Sequence, residues 1–319
     1  MKTHQKTGIL LLNLGGPQRL EDVRPFLVNL FSDRQIIRLG PAFLQKTIAR
    51  FIAWRRAPKS MGNYRRIGGG SPILEKTREQ ARALENALAG DGDFLVSPCM
   101  RYWHPFAGQV LHEMAAAGVG DLIALPLYPH YSIATTGSSF TDLHRANARL
   151  GFNLPVREIR DWPTAADYVA CLAARIEEGL ARFDGEAVEI VYSAHSLPVQ
   201  FITEGDPYVD HLQQTIRAVE QLTGKPGRLC YQSRSGPVEW LGPSTPEVIR
   251  EIAAGKGHNL LVVPLSFVSD HVETLYEIDI EYRQMAEELG LRFAVTRALN
   301  DDPQFIAALR QLVLNARAD

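Results

Sequence analysis

Residues 269–282, SDHVETLYEIDIEY, gather more potential chemistry than any other stretch of the chain. At 100° per residue, Asp270, Glu273, Glu277 and Glu281 fall along one side of a helix, and no Lys or Arg interrupts them. Like charges four residues apart repel by roughly 0.2–0.5 kcal/mol per pair, so an unpaired carboxylate stripe calls for a cation. His271 stands beside its start. The plain alternative is a solvated acidic face. Position favours the ion-handling reading: the apolar run LLVVPLSF at 260–267 reads as a buried strand, and open α/β sheets hold ligands beyond the carboxyl ends of their strands. A second group is SAHSLP at 193–198, where His195 also follows an apolar strand. Ser193, Ala194 and Ser196 are too small to shield it, so its imidazole is placed to act as a general base near neutral pH. The competing reading is a structural histidine. Ser196 invites a hydrolase reading, but the GxSxG elbow is absent.

Other motifs point to binding rather than bond-making. Gly15-Gly16-Pro17 follows a strand, yet it lacks the GxGxxG and GxxxxGK[ST] patterns, and Pro17 removes a backbone N–H that a phosphate needs. A tight strand-to-helix turn explains it better. Arg55-Arg56, Tyr64-Arg65-Arg66 and Gly68-Gly69-Gly70-Ser71 form a basic, Gly-rich region, either a flexible surface loop or an anion site built from guanidinium groups and backbone N–H donors. Upstream, Phe26, Leu30, Phe31, Ile36, Ile37, Leu39, Phe43 and Leu44 are dense in large apolar groups, beyond what core packing alone asks for. They suit a hydrophobic lip for an apolar ligand or a membrane surface. Trp240, hemmed by glycines and prolines in GPVEWLGPST, is either a packing anchor or a stacking face for a flat ligand.

Alternating strands and helices must position these groups. Apolar runs predict strands at 8–14, 94–97, 122–127, 156–159, 187–193, 228–232, 260–267 and 292–296. Helical patterns lie between them at 73–89, 105–117, 164–183, 208–223, 245–254 and 272–289, with a last helix at 303–316. This order implies parallel sheets with right-handed crossovers. Eight strands suggest two doubly wound units, with a break at Asp161-Trp162-Pro163-Thr164. The expected division is 1–165, 166–300 and a terminal helix at 301–319 that packs back on the first part. The polar motifs all follow strands, so all could line one cleft.

Composition narrows the class. Of 319 residues, 45% are hydrophobic and 22% charged, which is ordinary for a globular protein. The formal charge of −2 gives no reason to expect a nucleic-acid partner. Cys99, Cys171 and Cys230 are far apart in sequence and form no CxxC pair, which argues against a disulfide framework and fits a reducing compartment. The first 17 residues read straight into a strand and turn rather than a signal peptide, so a cytoplasmic location is expected.

Taken together, the motifs resemble the ferrochelatase family, which inserts ferrous iron into a porphyrin in haem synthesis. The matching segments are LNLGGP (12–17), YRRIGGGSP (64–72), RYWHP (101–105), YPHYSIATTGSS (128–139), SAHSLP (193–198), GPVEWLGPST (236–245) and SDHVETLYEIDIEY (269–282), in family order along nearly the whole chain. The resemblance implies two Rossmann-like α/β domains, each with a four-stranded parallel sheet flanked by helices. It makes His195 and Glu273 the catalytic pair. It places Asp270, His271, Glu277 and Glu281 on an acidic path that handles metal, protons or both, together with His195 and Glu273. It assigns propionate binding to Arg56, Tyr64 and Ser71, and the porphyrin pocket to Leu14, Arg101, Tyr102, Tyr128, Tyr131 and Trp240. Fe2+ and porphyrin are then substrates, not prosthetic groups.

Departures from the family pattern sharpen the expectation. Some members carry a [2Fe–2S] cluster with a cysteine in the YSxxTTGSS segment; this chain has Ile133 there and no cysteine after Cys230, so no cluster is expected, and a monomer is favoured. Members acting on coproporphyrin often have a tyrosine where this chain has Leu14, so protoporphyrin IX is the expected ring. The alternatives are a coproporphyrin III or other tetrapyrrole chelatase and, from a different class, a non-catalytic porphyrin or haem carrier. Peripheral membrane contact is expected through the apolar segment at 26–44.

Overall fold

The computed structural model describes residues 6–234, 236, 238–255 and 257–318. Contacts divide these into two compact units, one of residues 6–161 with 300–318 and the other of residues 162–299. The first unit holds β1 (Lys6–Asn13), β2 (Phe94–Met100), β3 (Val119–Pro126) and β4 (Val156–Glu158), all parallel, in the order β2-β1-β3-β4. The second holds β5 (Glu189–His195), β6 (Arg228–Gln232), β7 (Asn259–Pro264) and β8 (Arg292–Val295), again parallel, in the order β6-β5-β7-β8.

The strand sequences explain this arrangement. β1 reads KTGILLLN and β7 reads NLLVVP, with no alternation of polar residues, so both faces must be covered. Ile9, Leu10 and Leu11 in β1 and Leu260 to Val263 in β7 have no accessible surface. In the first unit Leu10, Leu12, Leu122 and Ala124 pack against Val110, Leu111 and Leu143 of the covering helices. In the second, Val191, Leu260 and Val262 pack against Val248, Ile249 and Ile278. Each side chain fully buried in this way stabilises its unit by about 1.5–3 kcal/mol. In each sheet the first strand in the chain is central and the strand order turns beside it, which is where such sheets place ligand crevices. Leu14 directly follows β1, and His195 is the last residue of β5. Two motifs singled out by residue type therefore hold corresponding positions in the two units.

The structure also corrects the reading of several segments. The basic stretch containing Arg55, Arg56 and Tyr64 is not a loop: it lies in the helix Gln45–Arg66, with Pro58 inside it. Its buried stripe is Gln45, Ala49, Ala53, Ala57 and Tyr64, mostly small side chains, so the apolar periodicity is faint, and Pro58 and Gly62 read as breakers. Helices Val23–Ser32 and Ser138–Leu150 add to those expected. The pattern at 272–289 is not one α-helix. Residues Glu273–Tyr282 form a π-helix, and only Arg283–Glu288 continues as α-helix. The terminal helix Pro303–Ala318 belongs to the first unit, where Arg310 forks onto Asp91 through bonds of 2.8 and 2.7 Å. Among the described residues no helix is long and apolar enough to cross a membrane.

Candidate active site

In the second unit the end of β5 is fixed before its side chain is used. The His195 backbone N–H donates to Ser266 Oγ at 2.7 Å, and its carbonyl accepts from the Tyr208 hydroxyl at 3.0 Å. The His195 side chain keeps 34% of its surface open to solvent, and its Nδ1 lies 2.9 Å from Glu273 Oε2. With Nδ1 committed to the carboxylate, proton exchange with a ligand falls to Nε2. Glu273 is held in turn: Gln232, the last residue of β6, donates from Nε2 to the same oxygen at 3.1 Å. Gln232 Oε1 accepts from Ser193 Oγ at 2.6 Å, and Ser193 meets Thr245 at 2.9 Å. A chain of buried hydroxyl and amide groups thus locks the carboxylate that orients the imidazole.

The electrostatics divide two neighbouring carboxylates. Burial alone would push the Glu273 acid up, but the His195 charge and hydrogen bond, helped by His271 and Gln232, bring it down to about 2. Burial likewise opposes a charge on His195, yet Glu273 prevails and the imidazole titrates above its ordinary range. Glu277 moves the other way: burial and the Glu273 charge raise it, despite donors from the Ser233 N–H at 2.8 Å, the Ser233 hydroxyl and the Tyr282 hydroxyl at 2.7 Å. Two titratable groups pushed apart by their surroundings are what acid–base work needs.

His271 completes this cluster. Its Nδ1 lies 3.0 Å from the Ser269 carbonyl, which can only accept, so the proton sits on Nδ1. Burial lowers its pKa and keeps the ring neutral. Its Nε2 lone pair is buried without a hydrogen-bond partner and lies 3.9 Å from Glu273 Oε1. This is the ligand form of imidazole.

The acidic stripe is therefore not unpaired, as its spacing suggested. Glu273 carries His195, Glu277 carries Ser233 and Tyr282, and Asp270, half-buried, accepts from Thr274 at 3.3 Å. Only Glu281 at the outer end is exposed. Among the described residues, no three His, Cys, Asp or Glu side chains converge in a geometry that would hold a metal ion. Trp240 is half-buried with its indole Nε1 enclosed and without a hydrogen-bond partner, on a loop pinned to SAHSLP by the Val199 to Glu239 and Leu241 to Leu197 backbone bonds. Ser235 and Pro237 of that loop lie outside the described residues.

In the first unit the two glycine motifs interlock. A Cβ on Gly16 would sit 2.6 Å from Ser71 Cβ, and one on Gly70 would sit 2.1 Å from the Gln18 carbonyl oxygen. The Ser71 N–H donates to the Pro17 carbonyl at 2.7 Å. Gly15-Gly16-Pro17 is thus a turn made for close backbone approach, not a phosphate cradle. Ser71 and Leu14 remain half-buried at this junction. Arg56 lies over the Phe31 ring, 5.4 Å from its centroid, and Arg160 lies over the Tyr131 ring at 4.5 Å.

Arg101 and Tyr102 follow β2 and converge on Asp33. Arg101 Nη2 is 2.9 Å and the Tyr102 hydroxyl 2.8 Å from Asp33 Oδ2, while Ser138 bonds all three partners. Burial of Asp33 works to raise its pKa, but Ser138, the Gln35 N–H, Arg101 and Tyr102 together lower it. Tyr102 and Tyr128, expected in the ring pocket, and Tyr64, expected on a propionate, are 0, 2 and 5% exposed and offer almost no surface to a ligand. Leu14, Arg56, Ser71, Arg101 and Tyr131 retain some.

Residue types alone passed over Asp33, Gln232, Ser233 and Tyr208. The signal for Gln232 and Ser233 was present: polar residues closing a buried strand, the same cue that exposed His195.

Comparison with known proteins bears on this geometry. The ferrochelatase family profile matches residues 6–317. A ferrochelatase of Desulfotalea psychrophila is 57% identical over 310 residues, covering 97% of each chain. One of Geotalea uraniireducens is 51% identical over 312 residues, again 97% of each. Among solved structures, the Bacillus subtilis protein SirB with Fe3+ superposes with a TM-score of 0.59 at 14% identity, covering 98% of this chain and 96% of that one. DR2241 of Deinococcus radiodurans, described as similar to chelatases, gives 0.51 at 14% identity over 99% of this chain and 55% of its own. These two likenesses speak for the fold, and the sequence relatives for the family. The chain belongs to the ferrochelatase family, lyases of haem biosynthesis that insert ferrous iron into a porphyrin.

Proposed function

We propose that the ring is protoporphyrin IX and that two pyrrole protons leave as Fe2+ enters, giving protohaem. The observation that carries the mechanism is the 2.9 Å contact between His195 Nδ1 and Glu273. A neutral porphyrin binds a divalent ion only after losing two N–H protons, so a base must face its nitrogens. His195 Nε2 accepts a pyrrole proton, and Glu273 stabilises the imidazolium that forms. Glu277, whose raised pKa lets it hold a proton, and exposed Glu281 then carry protons outward. The donors already on both Glu277 oxygens favour proton traffic there over iron binding. Iron handling falls to the inner end, where the His271 Nε2 lone pair stands beside Glu273 and Asp270 follows Ser269. Among the described residues no three such ligands converge, which suits an ion in transit.

Ring recognition is assigned to Leu14, Arg101, Tyr131 and Trp240, and the propionates to Arg56 and Ser71. Buried Tyr64, Tyr102 and Tyr128 support these groups from behind. Leu14 in place of a tyrosine supports the more apolar protoporphyrin. No [2Fe–2S] cluster is required: Ile133 stands where cluster-bearing members have a cysteine, and Cys99, Cys171 and Cys230 are each buried. Of the expected lip, Phe43 and Leu44 are exposed, and exposed Phe51 and Trp54 extend the apolar surface beyond it. Phe26 and Phe31 are buried, whereas Phe43, Phe51 and Trp54 are 81, 59 and 56% exposed, a surface suited to peripheral contact with a membrane that holds the greasy ring. Steady-state metal insertion with protoporphyrin IX against coproporphyrin III tests the assignment. A higher kcat/KM for protoporphyrin is expected, and a tenfold preference for coproporphyrin overturns it.

A further inference from the structure

The first unit contains a cavity of about 1260 Å3 whose charge is at odds with that of the chain. Its lining has six cations, Arg34, Lys46, Arg50, Arg101, Arg145 and Arg149, against two carboxylates, Asp33 and Asp142, a surplus of four positive charges in a protein of net charge −2. Arg101 is already shared by the two acids, at 2.9 and 3.6 Å, and Arg34 donates to the Gly40 carbonyl at 2.8 Å and to Gln45 at 3.2 Å. The remaining four, Lys46, Arg50, Arg145 and Arg149, are exposed and make no ion pair or hydrogen bond among the described residues.

Their placement is as telling as their number. Lys46 and Arg50 are four apart on the helix Gln45–Arg66, and Arg145 and Arg149 are four apart on the helix Ser138–Leu150. Each pair sets like charges side by side, at a cost of roughly 0.2–0.5 kcal/mol, and both pairs line the same cavity. Asp142, the one acid near the second pair, has its ion pair with Arg101 at 3.6 Å. The Gln109 amide adds a neutral donor to the wall. Guanidinium forks match phosphoryl oxygens in pairs, and an ammonium adds a mobile point charge. The cavity is too large for a single phosphate.

We propose that this cavity is a binding site for a soluble polyphosphate anion of three or more negative charges, held by Lys46, Arg50, Arg145 and Arg149. The cavity shares Arg101 with the ring-recognition set, but the four cations that hold the anion lie outside that set. Calorimetric titration with inorganic tripolyphosphate and with ATP, at about 50 mM salt so that screening is modest, tests it. Saturable binding of one anion per chain is expected, weakened at least tenfold in the variant Arg145→Glu with Arg149→Glu, while metal insertion without added anion is unchanged. Should that variant fold poorly, Arg145→Gln with Arg149→Gln is expected to weaken binding in the same direction. Absence of saturable binding, equal affinity in the charge variants, or binding to phosphatidylglycerol vesicles but not to tripolyphosphate would each overturn the proposal.

Discussion

Replacing Glu273 by Gln tests the coupling at the heart of the site with little change in shape. In the folded chain the Glu273 acid titrates at about 2, against 4.5 for a free glutamate. That difference corresponds to about 3 kcal/mol at roughly 1.4 kcal/mol per pH unit. Because the folded pKa is depressed, the stabilisation is present above pH 4.5 and is lost as pH falls towards 2. The wild-type chain should therefore lose more stability than Glu273→Gln over that interval, by up to about 3 kcal/mol. Urea unfolding at a series of pH values reads the difference directly. The variant also removes the main charge that raises His195, leaving only Glu277 to oppose burial. His195 then loses its proton at lower pH, and the acid limb of the rate profile for metal insertion should move down. The rate itself should fall by about 10²-fold or more, the usual scale for a disabled acid–base pair. Parallel stability curves together with an unmoved acid limb would refute the claim that this carboxylate holds the His195 charge.

His195→Ala should abolish metal insertion while porphyrin binding, followed by fluorescence quenching, persists; near-normal turnover would remove His195 from the mechanism. Tyr102→Phe deletes the hydroxyl that donates to Asp33 at 2.8 Å and should cost about 1.5–3 kcal/mol, read as a lowered Tm, whereas an unchanged Tm would show that the network has slack. Gly70→Ala drives a Cβ to 2.1 Å from the Gln18 carbonyl oxygen and should destabilise by about 1–3 kcal/mol or more, while Gly62→Ala, with nothing within 4 Å, should be neutral or stabilising; equal effects would contradict the interlocked turn. Phe43→Ser combined with Trp54→Ser should reduce co-sedimentation with anionic vesicles, and unaltered sedimentation would place the membrane contact elsewhere.

The double sheet was legible because β1 and β7 are apolar on both faces, a pattern only a covered parallel strand needs. His195 was legible because it closes such a strand among small residues. What was hidden had physical reasons. The helix Gln45–Arg66 packs through alanines, so its buried face is weak in hydrophobicity although close in contact. Asp33 sits in a helix-terminal loop with no motif of its own, and its importance comes from Arg101, Tyr102 and Ser138, which are distant in sequence. Tyr102 and Tyr128 came to the pocket through the family resemblance, which carries no information on burial; their near-complete enclosure leaves almost no surface for a ligand.

The π-helix explains why a stripe drawn at 100° per residue found the right carboxylates and missed their partners. At that spacing Tyr282, five residues after Glu277, lies about 140° around the helix and cannot reach it. In the structure the Tyr282 hydroxyl donates to Glu277 at 2.7 Å, because i→i+5 winding brings residues five apart together. The Arg283 N–H, which reaches the Ile278 carbonyl, shows the same spacing in the backbone. The other unit repeats the device: residues Ile133–Gly137 form a π turn, with the Gly137 N–H bonded to the Ser132 carbonyl at 3.1 Å, and the next residue, Ser138, is the one that grips Asp33. An α-helix at either place would carry the same side chains to different azimuths. The wider winding is thus what gives Glu277 a partner from its own helix, while Glu273 is partnered from β5 and β6, and it is a property of the backbone that residue types alone do not display.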